Sequence, residues 1–189
     1  LGPGVLGLVL PNRCAGCGAT GVPLCRGCAS ALSPAPDLAA PPGLRAAWAL
    51  LCYDAAARPL VAAIKYRNHR DAVGLLGRAM AELVDRAPEV VTWAPTSPVR
   101  ARTRGYDQAE LLARAVARSL GRPCRGLLRR LDPAGQTGRG RTARLGAPVF
   151  AARRRIPGEV LVVDDVRTTG ATLCAASDAL LAEGVRSTT

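Results

Sequence analysis

The sequence predicts an α/β protein: a parallel sheet flanked by helices, with a small metal-binding module ahead of it. Three observations carry this expectation. From Ala47 onward, short apolar runs alternate with segments of helical period, the pattern that builds a parallel sheet. One of those runs, Val160-Leu161-Val162-Val163, leads straight into two carboxylates, Asp164 and Asp165, and then into a loop of small hydroxyl residues and glycine. Near the N-terminus, four cysteines fall in two pairs, Cys14-Ala15-Gly16-Cys17 and Cys25-Arg26-Gly27-Cys28.

The cysteine pairs come first in the chain. A Cys-x-x-Cys spacing lets two thiolates reach one metal ion from a tight turn, and Gly16, Gly18 and Gly27 permit such turns. Two such knuckles make a closed tetrahedral site of Cys14, Cys17, Cys25 and Cys28, the arrangement of structural Zn²⁺. The alternative is a pair of disulfides or a redox dithiol. Leu1 to Leu10 is apolar but lacks a basic leading region and contains Gly and Pro, so it is a poor signal peptide. The expected location is therefore cytoplasmic, where persistent disulfides are disfavoured. Cys52, Cys124 and Cys174 are scattered among mostly apolar residues and read as ordinary buried thiols. His69, the sole histidine, lies far from the cysteines and suits a surface or capping role.

Residues 1–32 form the expected metal module, and Ser33 to Gly43, rich in Pro and Ala, reads as an extended linker. The division expected is 1–45 for module plus linker and 46–189 for the α/β domain. Within the latter, Ala47 to Tyr53 suggests a strand and Arg58 to Tyr66 a helix. Asp71 to Arg86 is a stronger helix, with Leu75, Leu76, Ala79 and Leu83 on one side. Glu89 to Trp93 reads as a buried strand, Ser97 to Gly105 as a basic loop. Asp107 to Leu120 is an amphipathic helix with Asp107 as N-cap, Glu110 completing a capping-box-like pattern and Gly121 ending it. Pro123 to Leu128 suggests a strand. Asp132 to Pro148 is glycine-rich without apolar period and reads as a mobile loop. Gly158 to Val163 is the strand before the acid pair, and Thr169 to Ala182 the helix after it. Another strand would begin at Gly184 to Thr189, where the sequence stops, so the domain is expected either to be truncated at its C-terminal strand or to lack that strand.

Composition sets the character of the core and the ligand. Hydrophobic residues make up 49% and aromatics only 3%, so the core must be built mainly from Ala, Val and Leu. No apolar run approaches the roughly 18 residues that span a bilayer, so no membrane span is expected. Net charge is +12, and the segment Thr96 to Arg155 carries all of that excess, with 15 Arg against three acids (Asp107, Glu110, Asp132). Such a block suits a polyanion: pyrophosphate, nucleotide or nucleic acid.

The order strand, acid pair, Thr168-Thr169-Gly170-Ala171-Thr172, helix suits a sugar phosphate. Loop amides and the positive end of the helix dipole hold the phosphate, while the carboxylates accept hydrogen bonds from ribose hydroxyls. The stretch resembles the phosphoribosyl-diphosphate (PRPP) signature of type I phosphoribosyltransferases. Two further segments become readable beside it. In Ala94-Pro95-Thr96-Ser97-Pro98-Val99-Arg100-Ala101-Arg102-Thr103-Arg104-Gly105-Tyr106-Asp107-Gln108, three arginines leave a strand and can pair bidentately with phosphate oxygens. In Gln136-Thr137-Gly138-Arg139-Gly140-Arg141-Thr142-Ala143-Arg144, glycines allow a loop to fold over a ligand.

Taken with Cys14 to Cys28, Lys65-Tyr66 and Arg104-Gly105-Tyr106-Asp107-Gln108-Ala109-Glu110, these motifs resemble the ComF family over nearly the whole chain. That family joins a four-cysteine zinc module to a type I phosphoribosyltransferase-like domain and is linked to natural competence for DNA uptake. Three departures stand out: Tyr106-Asp107 stands where the family commonly has Phe-Asn, the segment after Gln136 is unusually rich in glycine, and the C-terminal strand is missing. The resemblance implies that Asp164 and Asp165 hold the ribose and that Val166, Arg167, Thr168, Thr169, Gly170, Ala171 and Thr172 hold the 5-phosphate. It also implies that the segment with Pro95, Thr96, Arg100 and Arg104 faces the pyrophosphate, with Mg²⁺ bridging its oxygens. Lys65 and Arg67 are additional candidate phosphate contacts. No histidine base lies near these motifs, and none is required, since loss of pyrophosphate proceeds through an oxocarbenium-like state stabilised by charge placement. Two functions follow as expectations: a phosphoribosyltransferase, or a single-stranded DNA-binding competence protein that keeps the PRPP pocket as a relic or a regulatory site. The aromatic scarcity counts against base stacking in the second.

Overall fold

The computed structural model describes residues 12–67, 69–131, 148–153 and 158–189. After a short helix α1 (Arg26–Ser30) in the cysteine module come α2 (Ala57–Tyr66) and α3 (Arg70–Glu82), then β1 (Val90–Trp93). Next are α4 (Pro98–Arg104), α5 (Gln108–Leu120), β2 (Leu128–Leu131), β3 (Val149–Ala152), β4 (Glu159–Val163), α6 (Ala171–Leu181) and β5 (Ser187–Thr188). β4 is the centre of a parallel sheet of order β1-β4-β5, with Val90 opposite Val160 and Trp93 opposite Val163. A parallel bridge from Val91 to Cys124 continues the sheet beyond β1, and β2 pairs antiparallel with β3. The protein is therefore α/β with a parallel sheet and an N-terminal four-cysteine module, as the alternation of runs implied.

β1 and β4 are buried on both faces, which is why they read as unbroken apolar runs. Side chains alternate across them. Val91, Leu161 and Val163 pack with Leu60, Ala63, Ile64, Val73, Leu112 and Val116 of α2, α3 and α5. Val90, Val160 and Val162 face the other way, onto Leu173, Ala176 and Leu180 of α6 and onto Leu128 and Phe150 of the β2–β3 pair. With few aromatics to fill space, the helices approach closely. A Cβ at Gly77 of α3 would collide with Ala115 of α5.

Several expected elements differ. Ala47 to Tyr53 forms no strand. Leu51 makes one antiparallel bridge to Pro34, and the prolines at 34 and 36 have no N–H with which to extend a ladder. The basic segment 97–105 is a helix rather than a loop: Ser97 caps it, Pro98 occupies its first turn and Gly105 closes it at φ 76°. Those are standard start and stop residues, hidden by a run read for its charge. Of Pro123 to Leu128 only Cys124 bridges β1; the regular strand lies later, at Leu128–Leu131, with a partner, Val149–Ala152, that had no predicted counterpart. The helix expected over Asp71 to Arg86 ends at Glu82. The last strand, expected to be missing, is present as a short one at Ser187–Thr188 beside β4, and Thr189 extends its pairing by donating to the Val160 carbonyl (3.0 Å) and accepting from the Val162 amide (2.7 Å). The glycine-rich segment from Asp132, including Gln136-Thr137-Gly138 and Arg139 to Arg144, lies outside the described residues up to 147. Among the described residues, no helix is long and apolar enough to cross a membrane.

Candidate functional site

Because β1 and β4 are parallel neighbours, the loops at their carboxyl ends emerge side by side, where open α/β sheets place their ligands. The β4 loop begins with the acid pair. The Asp165 amide donates to Asp164 Oδ1 at 2.8 Å, and Asp165 Oδ2 pairs with Lys65 Nζ, from the last turn of α2, at 2.9 Å. Burial and the adjacent Asp165 charge push Asp164 up to about 7, against the opposing effects of that amide and of Lys65, with Asp107 adding to the rise. Asp164 is thus poised to change charge near neutrality, beside the Asp165–Lys65 ion pair.

This arrangement has a stability cost with a definite sign. A folded pKa above the ordinary 3.8 means that the folded state binds the extra proton, so stability falls as pH rises from about 4 to about 7. Asp164→Asn removes the ionisation and is expected to be more stable than the parent above pH 7, by an amount on the order of 4 kcal/mol at most. The advantage should shrink towards pH 4. Thermal melts of both proteins across pH 4–8 check this, and an Asn variant less stable than the parent at pH 8 would contradict it.

Beyond the acids, Val166 to Gly170 turns into α6. Thr168 and Thr169 are exposed, and Thr169 Oγ1 accepts from the Ala171 amide at 3.3 Å. Gly170 takes the N-cap position at φ 83°, with Thr172 one residue inside the helix. A Cβ at Gly170 would sit 2.9 Å from Pro41, so the linker passes directly over this loop. Arg167 reinforces the contact by donating from Nη2 to the Ala39 carbonyl at 2.9 Å. The proline-rich segment is therefore more than a spacer. Gly43 also accepts from Ser177 Oγ (2.9 Å) and Thr188 Oγ1 (3.2 Å), which fastens it to α6 and β5.

On the β1 side, the Thr96 amide donates to Asp107 Oδ2 at 2.9 Å, and the Ala109 amide to Asp107 Oδ1 at 3.0 Å. Asp107 thereby fixes the Pro95–Thr96 loop against the start of α5. Burial raises its pKa, partly offset by those amides.

Lys65 links the acids to a basic cavity of about 520 Å³, lined by Lys65, Tyr66, Arg70, Arg100, Thr103, Arg104, Gly105 and Tyr106. No acid is among these lining residues. Arg104 is held from three directions: its guanidinium lies 4.9 Å over the Tyr66 ring, and it donates to Gln108 Oε1 (2.7 Å) and to Tyr66 Oη (3.1 Å). Arg70 stacks at 5.7 Å over Tyr106, whose hydroxyl donates to the Ile64 carbonyl at 2.6 Å. Of the cations expected to meet phosphate, Lys65, Arg100 and Arg104 line this cavity; Arg67 and Arg102 do not. Arg70, Thr103, Tyr66 and Tyr106 had no assigned role. Their one trace in the sequence is that two of the three tyrosines, Tyr66 and Tyr106, lie within two residues of an arginine. A second cavity, of about 410 Å³, runs from the acid pair along Trp48, Leu50, Leu161 and Thr189. Its apolar walls do not suit a phosphate.

The four cysteines converge as their spacing implied. All four Sγ atoms lie within 4.8 Å of one another, and Cys17 and Cys25 are 3.8 Å apart. Tetrahedral Zn–S bonds of about 2.3 Å put sulfurs about 3.8 Å apart. Amides of Cys25 and Cys28 point at Cys14 Sγ (3.3 Å) and Cys25 Sγ (3.5 Å), as in a thiolate knuckle. Gly16 is obligatory, since a Cβ there would meet Cys28 Sγ at 2.7 Å. Burial would raise Cys14, but amides of Cys17, Cys25 and Gly16 outweigh it and bring it to about 6; the neighbouring sulfurs of Cys25, Cys14 and Cys17 push Cys28 to about 12. Four thiols this close cannot all ionise by themselves, and a divalent cation resolves the conflict. The donor set and spacing are those of a tetrahedral zinc site. Cys52, Cys124 and Cys174 are part-buried and lie outside it.

No protein-family model matches the chain, and no curated protein does. Solved structures do. A glutamine phosphoribosylpyrophosphate (PRPP) amidotransferase from B. subtilis, complexed with ADP and GMP, is similar at a TM-score of 0.48 and 19% identity. The match covers 68% of this chain and 29% of that one. A structure described as the allosteric regulatory enzyme of purine biosynthesis is similar with the same TM-score, identity and coverage. This chain thus spans less than a third of the length of either.

Proposed function

We propose that this chain binds PRPP, and that it transfers the phosphoribosyl group to an acceptor with loss of pyrophosphate. One observation carries the reading: Lys65 stands between the acid pair and the basic cavity, bonded to Asp165 on one side and lining the cavity on the other. A ribose between them would have its hydroxyls on Asp164 and Asp165, its 5-phosphate at Thr168 to Thr172, and its diphosphate towards Lys65, Arg100 and Arg104. Arg104, already immobilised by Tyr66 and Gln108, loses little freedom on meeting an anion. Leaving-group charge that develops on the diphosphate meets fixed guanidinium groups, which is how such a site lowers a barrier. Mg²⁺ bound to the diphosphate oxygens would supply further charge neutralisation.

The ComF resemblance extends the proposal: an N-terminal zinc module (1–45 with its linker) joined to a phosphoribosyltransferase-like domain (46–189), in a role linked to DNA uptake. Zn²⁺ at Cys14, Cys17, Cys25 and Cys28 would be structural, since all four positions are filled by protein ligands.

The two halves of the proposed ligand test the arrangement. Ribose 5-phosphate and inorganic pyrophosphate should each bind alone, should bind together, and should each be displaced by PRPP. Arg104→Ala should weaken pyrophosphate about ten-fold or more while leaving ribose 5-phosphate nearly unchanged. Competition between the two halves for one site would rule the arrangement out.

A further inference from the structure

The turn between α2 and α3 carries three groups of the basic cavity. Lys65 and Tyr66 close α2, and Arg70 opens α3. His69 occupies the N-cap position of α3 but makes no side-chain capping bond there. Its imidazole points elsewhere: Nδ1 lies 3.1 Å from the Arg13 carbonyl oxygen, 56 residues away. A carbonyl only accepts, so Nδ1 carries the proton in this bond. Arg13 directly precedes Cys14, the buried thiol of the cysteine cluster. The next residue, Ala15, is buried in the same core group as Ala63, Ile64, Ala72 and Val73, which flank the turn. The cysteine module is thus braced against the segment that positions Lys65, Tyr66 and Arg70.

We propose that His69 is a positioning residue that couples the metal-loaded four-cysteine module to the α2–α3 turn and thereby sets the anion affinity of the basic cavity. The proposal rests on the diphosphate reading of that cavity. The turn from Arg13 to Thr20 is held by an antiparallel bridge between its ends and by the Cys14 amide on the Ala19 carbonyl (2.7 Å). In small modules of this kind metal binding supplies much of the folding free energy. Loss of the metal would release the Arg13 carbonyl, and the turn would lose its outer support. The cavity's side chains would then have to be ordered when the anion binds, which weakens it by roughly 5- to 50-fold. Linkage makes the effect reciprocal: the anion must tighten metal binding by the factor by which the metal tightens anion binding.

The test uses the full chain, in the parent and in His69→Ala and His69→Gln variants. Inorganic pyrophosphate affinity is measured with the cysteine site loaded and after chelation, and Zn²⁺ affinity by chelator competition with and without pyrophosphate. Gln keeps a donor able to reach a carbonyl; Ala does not. The expected result is that chelation weakens pyrophosphate binding to the parent roughly 5- to 50-fold, and that pyrophosphate tightens Zn²⁺ by the same factor. His69→Ala should start from the weaker affinity and lose both dependences, with His69→Gln recovering most of them. Unchanged pyrophosphate affinity in loaded His69→Ala, or an equal effect of chelation in parent and Ala variant, would overturn the role of His69. Failure of the loaded parent to bind pyrophosphate at all would overturn the diphosphate reading itself, and the coupling with it.

Discussion

Replacing both acids, Asp164→Asn with Asp165→Asn, is expected to weaken PRPP binding by about a hundred- to ten-thousand-fold. Two hydrogen bonds from ribose hydroxyls to charged carboxylates contribute about 1.5–3 kcal/mol each, and an amide replaces them poorly. The direction is informative because net charge predicts the opposite. Removing two acids beside Lys65 makes the site more positive, and a merely electrostatic anion site would then bind PRPP more tightly. Titration of the double variant with PRPP and with inorganic pyrophosphate separates the two: PRPP affinity should fall towards that of pyrophosphate, and pyrophosphate should hold or improve. Unchanged PRPP affinity would show that the carboxylates do not touch the sugar.

The second large effect is expected at the cysteine cluster. Chelating the metal, or replacing Cys14 by Ser, should lower the thermal midpoint by roughly 6–12 °C for a loss of about 3 kcal/mol in a domain of this size. Zn²⁺ contributes about 10–16 kcal/mol to the folding of isolated finger peptides. Here part of that should reach the main core, because Ala15 is buried in it and Leu24 and Leu32 pack against it. Chelation should also become easier as pH falls, since the proton competes with the metal for thiolate sulfur. Differential scanning calorimetry with metal content measured in parallel checks both statements. A Cys14→Ser protein that melts with the parent would mean that the module adds nothing to the core it touches.

The parts of this structure that could be read from the chain are those where pattern and chemistry coincide. Val160 to Val163 is apolar on both faces because both faces are covered, and no other fate suits such a run beside Asp164 and Asp165. Asp107 and Gly121 bound α5 as their residue types dictate. The cysteine spacing specified its own geometry. What stayed hidden depended on tertiary partners. The segment at Ala47 to Tyr53 has strand-forming composition, but its neighbour is a proline-bearing linker, and pairing stops at one bridge. Arg100 and Arg104 are legible as phosphate-binding types, yet the helix that carries them has no apolar period to announce it, and only Ser97, Pro98 and Gly105 mark its ends. The basic cavity joins residues near 66, 70 and 104, and nothing local to any of them announces that meeting. His69 shows the same limit: its cap position could be read from sequence, its bond to Arg13 could not.

Isothermal titration of the zinc-loaded chain with PRPP, with and without Mg²⁺, decides whether the acid pair and the basic cavity serve one ligand. One site per chain is expected, tighter with Mg²⁺ than without, and tighter for PRPP than for ribose 5-phosphate or pyrophosphate alone. PRPP binding no tighter than pyrophosphate, or no binding at all, would contradict it, because the acid pair and the basic cavity would then not be two ends of one ligand site.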